Sequence, residues 1–187
     1  MASALEPSRG AGNVVILSGA LLLAFIAGLT DFRSRRIPNW LTVSAFALGV
    51  AAHSFYGGWS GLKTSLLGTV VGLGLLLPFV LLRSLGAGDW KLAGALGAFT
   101  GPALLMNLLI LSVFVAGMMA MMLIVYKGRV RETVRNIGHI LVSLVTFQLP
   151  GHRVSLENPD SLKVPYGVAL AFSVLLYGAT QMRGLTR

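Results

Sequence analysis

The chain has 187 residues, 55% hydrophobic and 11% charged, with a formal net charge of +9 and no cysteine. A soluble domain carries about 25% charged residues, so this composition, with a mean hydropathy of +0.79, is that of an integral membrane protein. It excludes disulfides, a Cys-based zinc site and a thiol nucleophile, and His53, His139 and His152 stand apart without a second ligand at metal spacing. The basic excess is read as topology signal and headgroup contact, not as a nucleic-acid surface.

A helix needs about 17–20 apolar residues to cross hydrocarbon. In chain order, residues 14–30, 40–56 and 62–82 satisfy this. The N-terminal run carries only Arg9 as a basic residue and has no clean small-x-small site before Asp31, so it is expected to stay as the first span. Residues 90–126 are too long for one crossing. Gly101-Pro102 divides them into 90–100 and 103–126, since proline breaks the hydrogen-bond ladder and glycine permits a turn. Residues 131–149 set Val134, Ile137, Leu141 and Leu144 on one side and Arg131, Arg135, His139 and Ser143 on the other, the pattern of an amphipathic helix lying in the interface. The last span is 164–182. The expected fold is all-α: a single membrane-embedded domain over 1–187, with six transmembrane helices and one interfacial helix.

Lysine and arginine bias orients such a bundle. Arg33, Arg35, Arg36, Arg83, Lys91 and the basic residues from Lys127 to Lys163 fall on one side, against Arg9, Lys63, Arg183 and Arg187 on the other. The first set is expected in the cytoplasm, holding anionic lipid, with both termini outside. Asp31 and Asp89 then share the cytoplasmic face.

The chain has six acidic residues, and two of them lie against hydrocarbon. Asp31 opens Asp31-Phe32-Arg33-Ser34-Arg35-Arg36-Ile37-Pro38-Asn39, and Asp89 closes Gly86-Ala87-Gly88-Asp89. A carboxylate at a membrane edge is costly and reads as functional by default, although an acid after an apolar helix can also be a solvated loop residue. Two carboxylates sharing a site do not both ionise easily, so one is suited to act as base and the other as acid. Peptide hydrolysis needs that combination, with no cofactor or metal. Gly86 and Gly88 leave the backbone bare before Asp89, for positive φ or close approach. Arg33 and Lys91, each two positions after an Asp, either tune the pair or mark topology. Pro38 suits the first turn of the second helix, and Asn39 suits a helix start. Tyr166, in Pro165-Tyr166-Gly167, reads alone as an interfacial anchor.

Together the Asp31…Ile37-Pro38-Asn39 and Gly86-x-Gly88-Asp89-x-Lys91 segments resemble the type IV prepilin leader peptidases, membrane aspartyl proteases of the Gly-x-Gly-Asp type. Pro165-Tyr166-Gly167 before the last helix belongs to the same resemblance. The short form is similar to the Flp/tight-adherence pilus group, the CpaA/TadV-like enzymes. The resemblance implies an endopeptidase of the bacterial inner membrane that cuts a short basic leader from a pilin-like precursor on the cytoplasmic face. Asp31 and Asp89 match the two catalytic aspartates, and Gly86, Gly88, Lys91, Pro38 and Asn39 match motif positions around them. Long members also N-methylate the new terminus and carry an insertion with paired Cys-x-x-Cys motifs. This chain has no cysteine, and methyl transfer is not expected of it.

Two other readings remain. A presenilin-type protease shares the Gly-x-Gly-Asp chemistry but carries its first Asp within a helix, whereas Asp31 is expected to end one. A transporter or assembly subunit would use the acids as a proton relay, but no polar cluster lies mid-span.

Overall fold

Leucine-, alanine- and glycine-rich runs with few charges have one way to satisfy their backbone polar groups away from water, which is the α-helix. The computed structural model describes residues 6–82, 85–128, 131, 133, 135 and 165–185. Its helices are α1 (Glu6–Ser34), α2 (Asn39–Leu81), α3 (Ala87–Tyr126) and α4 (Tyr166–Leu185). Three of them contain stretches long and apolar enough to cross a membrane: Gly12–Ser34, Asn39–Leu81 and Ala87–Tyr126. Tyr166–Gln181 is a shorter apolar helix.

Two of the long helices fold back on themselves at a glycine. Gly58 has φ 55° and ψ −139° inside α2, and Gly101 has φ 69° and ψ 175° inside α3. Both lie in the left-handed half of φ/ψ space, where a side chain is disfavoured. The extended ψ of Gly101 is what a following proline imposes. The reversal at Gly58 is tight enough that a Cβ on Gly61 would run into the His53 carbonyl. These breaks fall where the sequence divides 40–56 from 62–82 and 90–100 from 103–126.

The two halves of α2 pack against the first half of α3 through small residues. A Cβ on Gly68 would meet the Gly97 carbonyl, and one on Gly97 the Gly68 carbonyl. A Cβ on Gly72 would stand 2.6 Å from the Ala93 oxygen. In lipid no hydrophobic force drives helices together, so backbone approach through small residues supplies the packing. Leu92, Leu96, Leu105, Leu108, Leu170 and Val174 fill the centre and are fully buried. Leu22, Phe25, Leu48, Val70, Phe114, Met118 and Met121 face outward, as they would toward acyl chains. Helix α4 runs antiparallel to α1, with Gly28 against Ala171 and Gly178 against Leu21.

The structure corrects the first helix boundary. The α1 helix continues past residue 30 through Ser34, so Asp31 lies in its last turn. The Asp31 carbonyl accepts a 2.8 Å hydrogen bond from the Arg35 amide, and the Ser34 hydroxyl donates to the Thr30 carbonyl at 2.7 Å. Arg35, at φ 50°, then ends the helix in the left-handed conformation common at helix C-termini. At the other end Asp89 lies inside the first turn of α3, which starts at Ala87. The amphipathic segment 131–149 lies outside the described residues, apart from helical positions 131, 133 and 135.

Candidate active site

Three helix termini meet at one end of the bundle: the last turn of α1, the first turn of α3 and the first turn of α4. Asp31 is buried, with 6% of its surface exposed. Its Oδ2 accepts a hydrogen bond from the Val168 amide at 3.1 Å. Asp89 is partly buried and stands in the first turn of α3, where the helix dipole favours a negative charge. The charge of Asp31 is felt at Asp89, and the backbone of Gly167 lies close to both carboxylates. The positive charge acting on Asp31 is that of Arg35, whereas Arg33 is exposed in the last turn of α1.

The glycines of the second motif serve close approach, not positive φ. Gly86 is the extended N-cap of α3 (φ −68°, ψ 141°), and a Cβ there would stand 3.0 Å from Asp89 Oδ2. Its carbonyl accepts the Trp90 amide at 3.2 Å. A Cβ on Gly88 would stand 3.3 Å from the Ile37 Cβ, so the Ile-Pro-Asn loop lies directly on the Gly-x-Gly turn. Pro38 is not the first residue of the second helix but its extended N-cap, and Asn39 is the first helical residue. The Asn39 side chain, instead of bonding its own loop, accepts a 2.9 Å hydrogen bond from Lys91 Nζ. The Trp90 indole donates to the Leu73 carbonyl at 2.7 Å, which ties the start of α3 to α2.

Sequence reasoning missed the third wall of the site. Tyr166 is no simple lipid anchor: its hydroxyl is 2.8 Å from the Ser112 hydroxyl, and it feels the charge of Asp89. A Cβ on Gly167 would stand 2.8 Å from Asp31 Oδ2. Two signals were present. Ser112 is a polar residue inside the apolar run 103–126, and Gly167 is a glycine at the start of a membrane helix, where propensity alone disfavours it.

A groove of about 250 Å³ opens beside the site, lined by Thr42, Val43, Phe46, Thr69, Leu73, Lys91, Gly94 and Ala95. A larger cavity of about 460 Å³ lies at the opposite end, among Asn13, Leu17, His53, Phe99, Leu104 and Tyr177. Among the described residues no three His, Cys, Asp or Glu side chains come together as a metal set would require.

A buried acid and a partly buried one, brought to the same helix termini beside an apolar groove, are groups that can take and give protons in a membrane protein. Residues 18–121 match the type IV leader peptidase family, and the chain belongs to that family. It is 32% identical over 124 residues to the prepilin leader peptidase/N-methyltransferase of Neisseria gonorrhoeae, a match covering 62% of this chain and 43% of that relative. The chain thus matches less than half of the relative's length. No solved structure matches it.

Proposed function

We propose that this chain is a membrane aspartyl endopeptidase that removes the leader from Flp-type pilin precursors, with Asp31 and Asp89 as the reacting pair. The observation that carries the reading is the convergence of two carboxylates from separate helices on the start of α4, where the Val168 amide donates to Asp31 and the charge of Asp31 is felt at Asp89. One ionised carboxylate takes a proton from water as the water oxygen adds to the scissile carbonyl carbon. The other, protonated, gives its proton to the carbonyl oxygen. Collapse of the resulting diol breaks the C–N bond: the proton held by the first acid passes to the leaving amine, and the second acid takes one back from a diol hydroxyl as the new carboxyl forms. Both acids return to their starting states, and one water is consumed.

The topology belongs to the same proposal. The halves of α2, residues 39–57 and 59–81, are about 28 and 34 Å long at 1.5 Å per residue, enough for one hydrocarbon crossing each. Aromatic residues flank both ends of this hairpin: Trp40 at one, and Phe55, Tyr56 and Trp59 at the other. Lys63 stands 5.7 Å above the Trp59 ring, in keeping with an interfacial belt. We read α1, the halves of α2 and α3, and α4 as six crossings of one peptidase domain over 1–187. Residues 131–149 then form an interfacial helix on anionic lipid. The site opens to the cytoplasm of the bacterial inner membrane, and both termini lie outside. Substrate would approach along the bilayer with its own apolar helix, presenting the bond ahead of that helix to the aspartates.

The test is co-expression with a pilin precursor carrying a basic leader ending in glycine. Leader removal appears as a mobility shift in the wild type and is absent in Asp31→Asn and in Asp89→Asn. Normal processing by either variant, or inhibition by metal chelators, overturns the assignment. One observation favours the presenilin-type alternative: Asp31 lies within a helix. Sequencing the new N-terminus separates the two readings, since a leader peptidase cuts ahead of the substrate's apolar helix and the alternative cuts inside it.

A further inference from the structure

The first turn of α4 approaches Asp31 more closely than any side chain at position 167 would permit. A Cβ there would lie 2.8 Å from Asp31 Oδ2, 3.1 Å from its Cγ and 3.0 Å from Ile37 Cδ1. The carboxylate is not free to move aside, because the next amide, that of Val168, donates to the same oxygen at 3.1 Å. Gly178, farther along α4, makes an instructive contrast. A Cβ at that position would meet the Leu21 side chain at 2.5 Å, which is packing against a flexible group remote from both acids. The start of α4 is itself held in place, with the Tyr166 hydroxyl 2.8 Å from the Ser112 hydroxyl and the Ala169 amide donating to the Pro165 carbonyl at 3.4 Å.

We propose that Gly167 is a positioning residue for the aspartate pair: its bare Cα lets the α4 terminus close onto Asp31, so that the Val168 amide reaches the carboxylate. This rests on the reading of Asp31 and Asp89 as the reacting acids. During the reaction the proton count on each acid changes, so negative charge moves from one to the other. Free amides at a helix N-terminus stabilise an anion without themselves gaining or losing a proton. The Val168 amide, brought against Asp31 by this close approach, serves that acid when it is ionised. A methyl group at position 167 would push α4 away from Asp31 and lengthen the Val168 bond with it.

The experiment compares Gly167→Ala with the wild type in the full chain, using the same pilin precursor. The expected result is a fall in kcat of roughly 10- to 100-fold, with KM within about twofold. The acid limb of the pH–rate profile is expected to shift, because the ionised acid loses a donor. Gly178→Ala is expected to lower thermal stability while leaving the pH profile where it was. Adding Ile37→Val to Gly167→Ala removes the crowded Cδ1 atom; activity stays low if the carboxylate contact is what matters. Wild-type kcat and pH profile in Gly167→Ala overturn the proposal, as does full recovery with Ile37→Val. If Gly167→Ala does not reach the membrane folded, Ser112→Ala decides, since it loosens the α4 start without adding an atom. A shifted profile with a smaller kcat loss supports the proposal, and an unshifted one overturns it. Asp31→Asn and Asp89→Asn are assayed alongside. Activity in those variants overturns the acid-pair reading itself, whereas their inactivity beside a normal Gly167→Ala overturns only the role of Gly167.

Discussion

The two ends of this bundle bury polar groups in opposite ways. At the far end, His53 Nε2 donates to the Phe99 carbonyl at 2.8 Å, and Ser65 donates to the Ala98 carbonyl at 2.9 Å. Each hydroxyl or imidazole there satisfies a backbone acceptor close to a glycine turn. At the site end, the buried polar group is the Asp31 carboxyl, an acceptor held by the Val168 amide at the start of another helix. One end spends its polar atoms on packing; the other keeps two acids adjacent in a setting that favours exchange of a proton. Residue type alone does not make this distinction. It depends on whether partners come from the same packed layer or from three converging helix termini.

The contrast is broken most sharply at the acids. Asp31→Asn or Asp89→Asn is expected to lower leader removal by about 10³-fold while the protein keeps its thermal unfolding temperature within a few degrees, checked by a processing assay and by unfolding in detergent. Substitution at the packing seam does the reverse. Gly68→Val, whose side chain would strike the Gly97 carbonyl, is expected to cost about 3 kcal/mol or more of stability and to reduce the yield of folded protein. At the far end, His53→Leu is expected to cost about 1–2 kcal/mol by leaving the Phe99 carbonyl without its donor, with processing per folded molecule unchanged. The smallest effect belongs to Lys91→Met. It removes the bond to Asn39 at the partly exposed rim of the site, where such a contact contributes little. Processing is expected to stay within about threefold of wild type, and a larger loss would move Lys91 into the reacting site.

Much of this was legible before any coordinates. Gly101-Pro102 marks one chain reversal because backbone chemistry at those residues is local, and the gap between 40–56 and 62–82 brackets the other. Asp31 and Asp89 stand out because an acid beside hydrocarbon is costly wherever the chain goes next. The end of α1 was harder to read. Its continuation through Asp31 to Ser34 depends on the Arg35 amide and a serine hydroxyl closing the last carbonyls, a choice that hydropathy does not register. Arg33 and Arg35 are equivalent in a count of basic residues, yet the geometry of the helix end brings Arg35 into the field of Asp31.

By itself, then, the sequence determined a helical membrane protein, its breaks, and two acids in motifs that resemble those of leader peptidases, because each of these follows from residues within one helix or one turn. Only the tertiary structure decided what packs against Asp31 and walls the site. Tyr166 meets Ser112 across 54 positions of chain, and Gly167 meets Asp31 across the whole bundle. Contacts of that range follow from how helices pack, and no periodicity within one helix encodes which glycine will end up against which carboxylate.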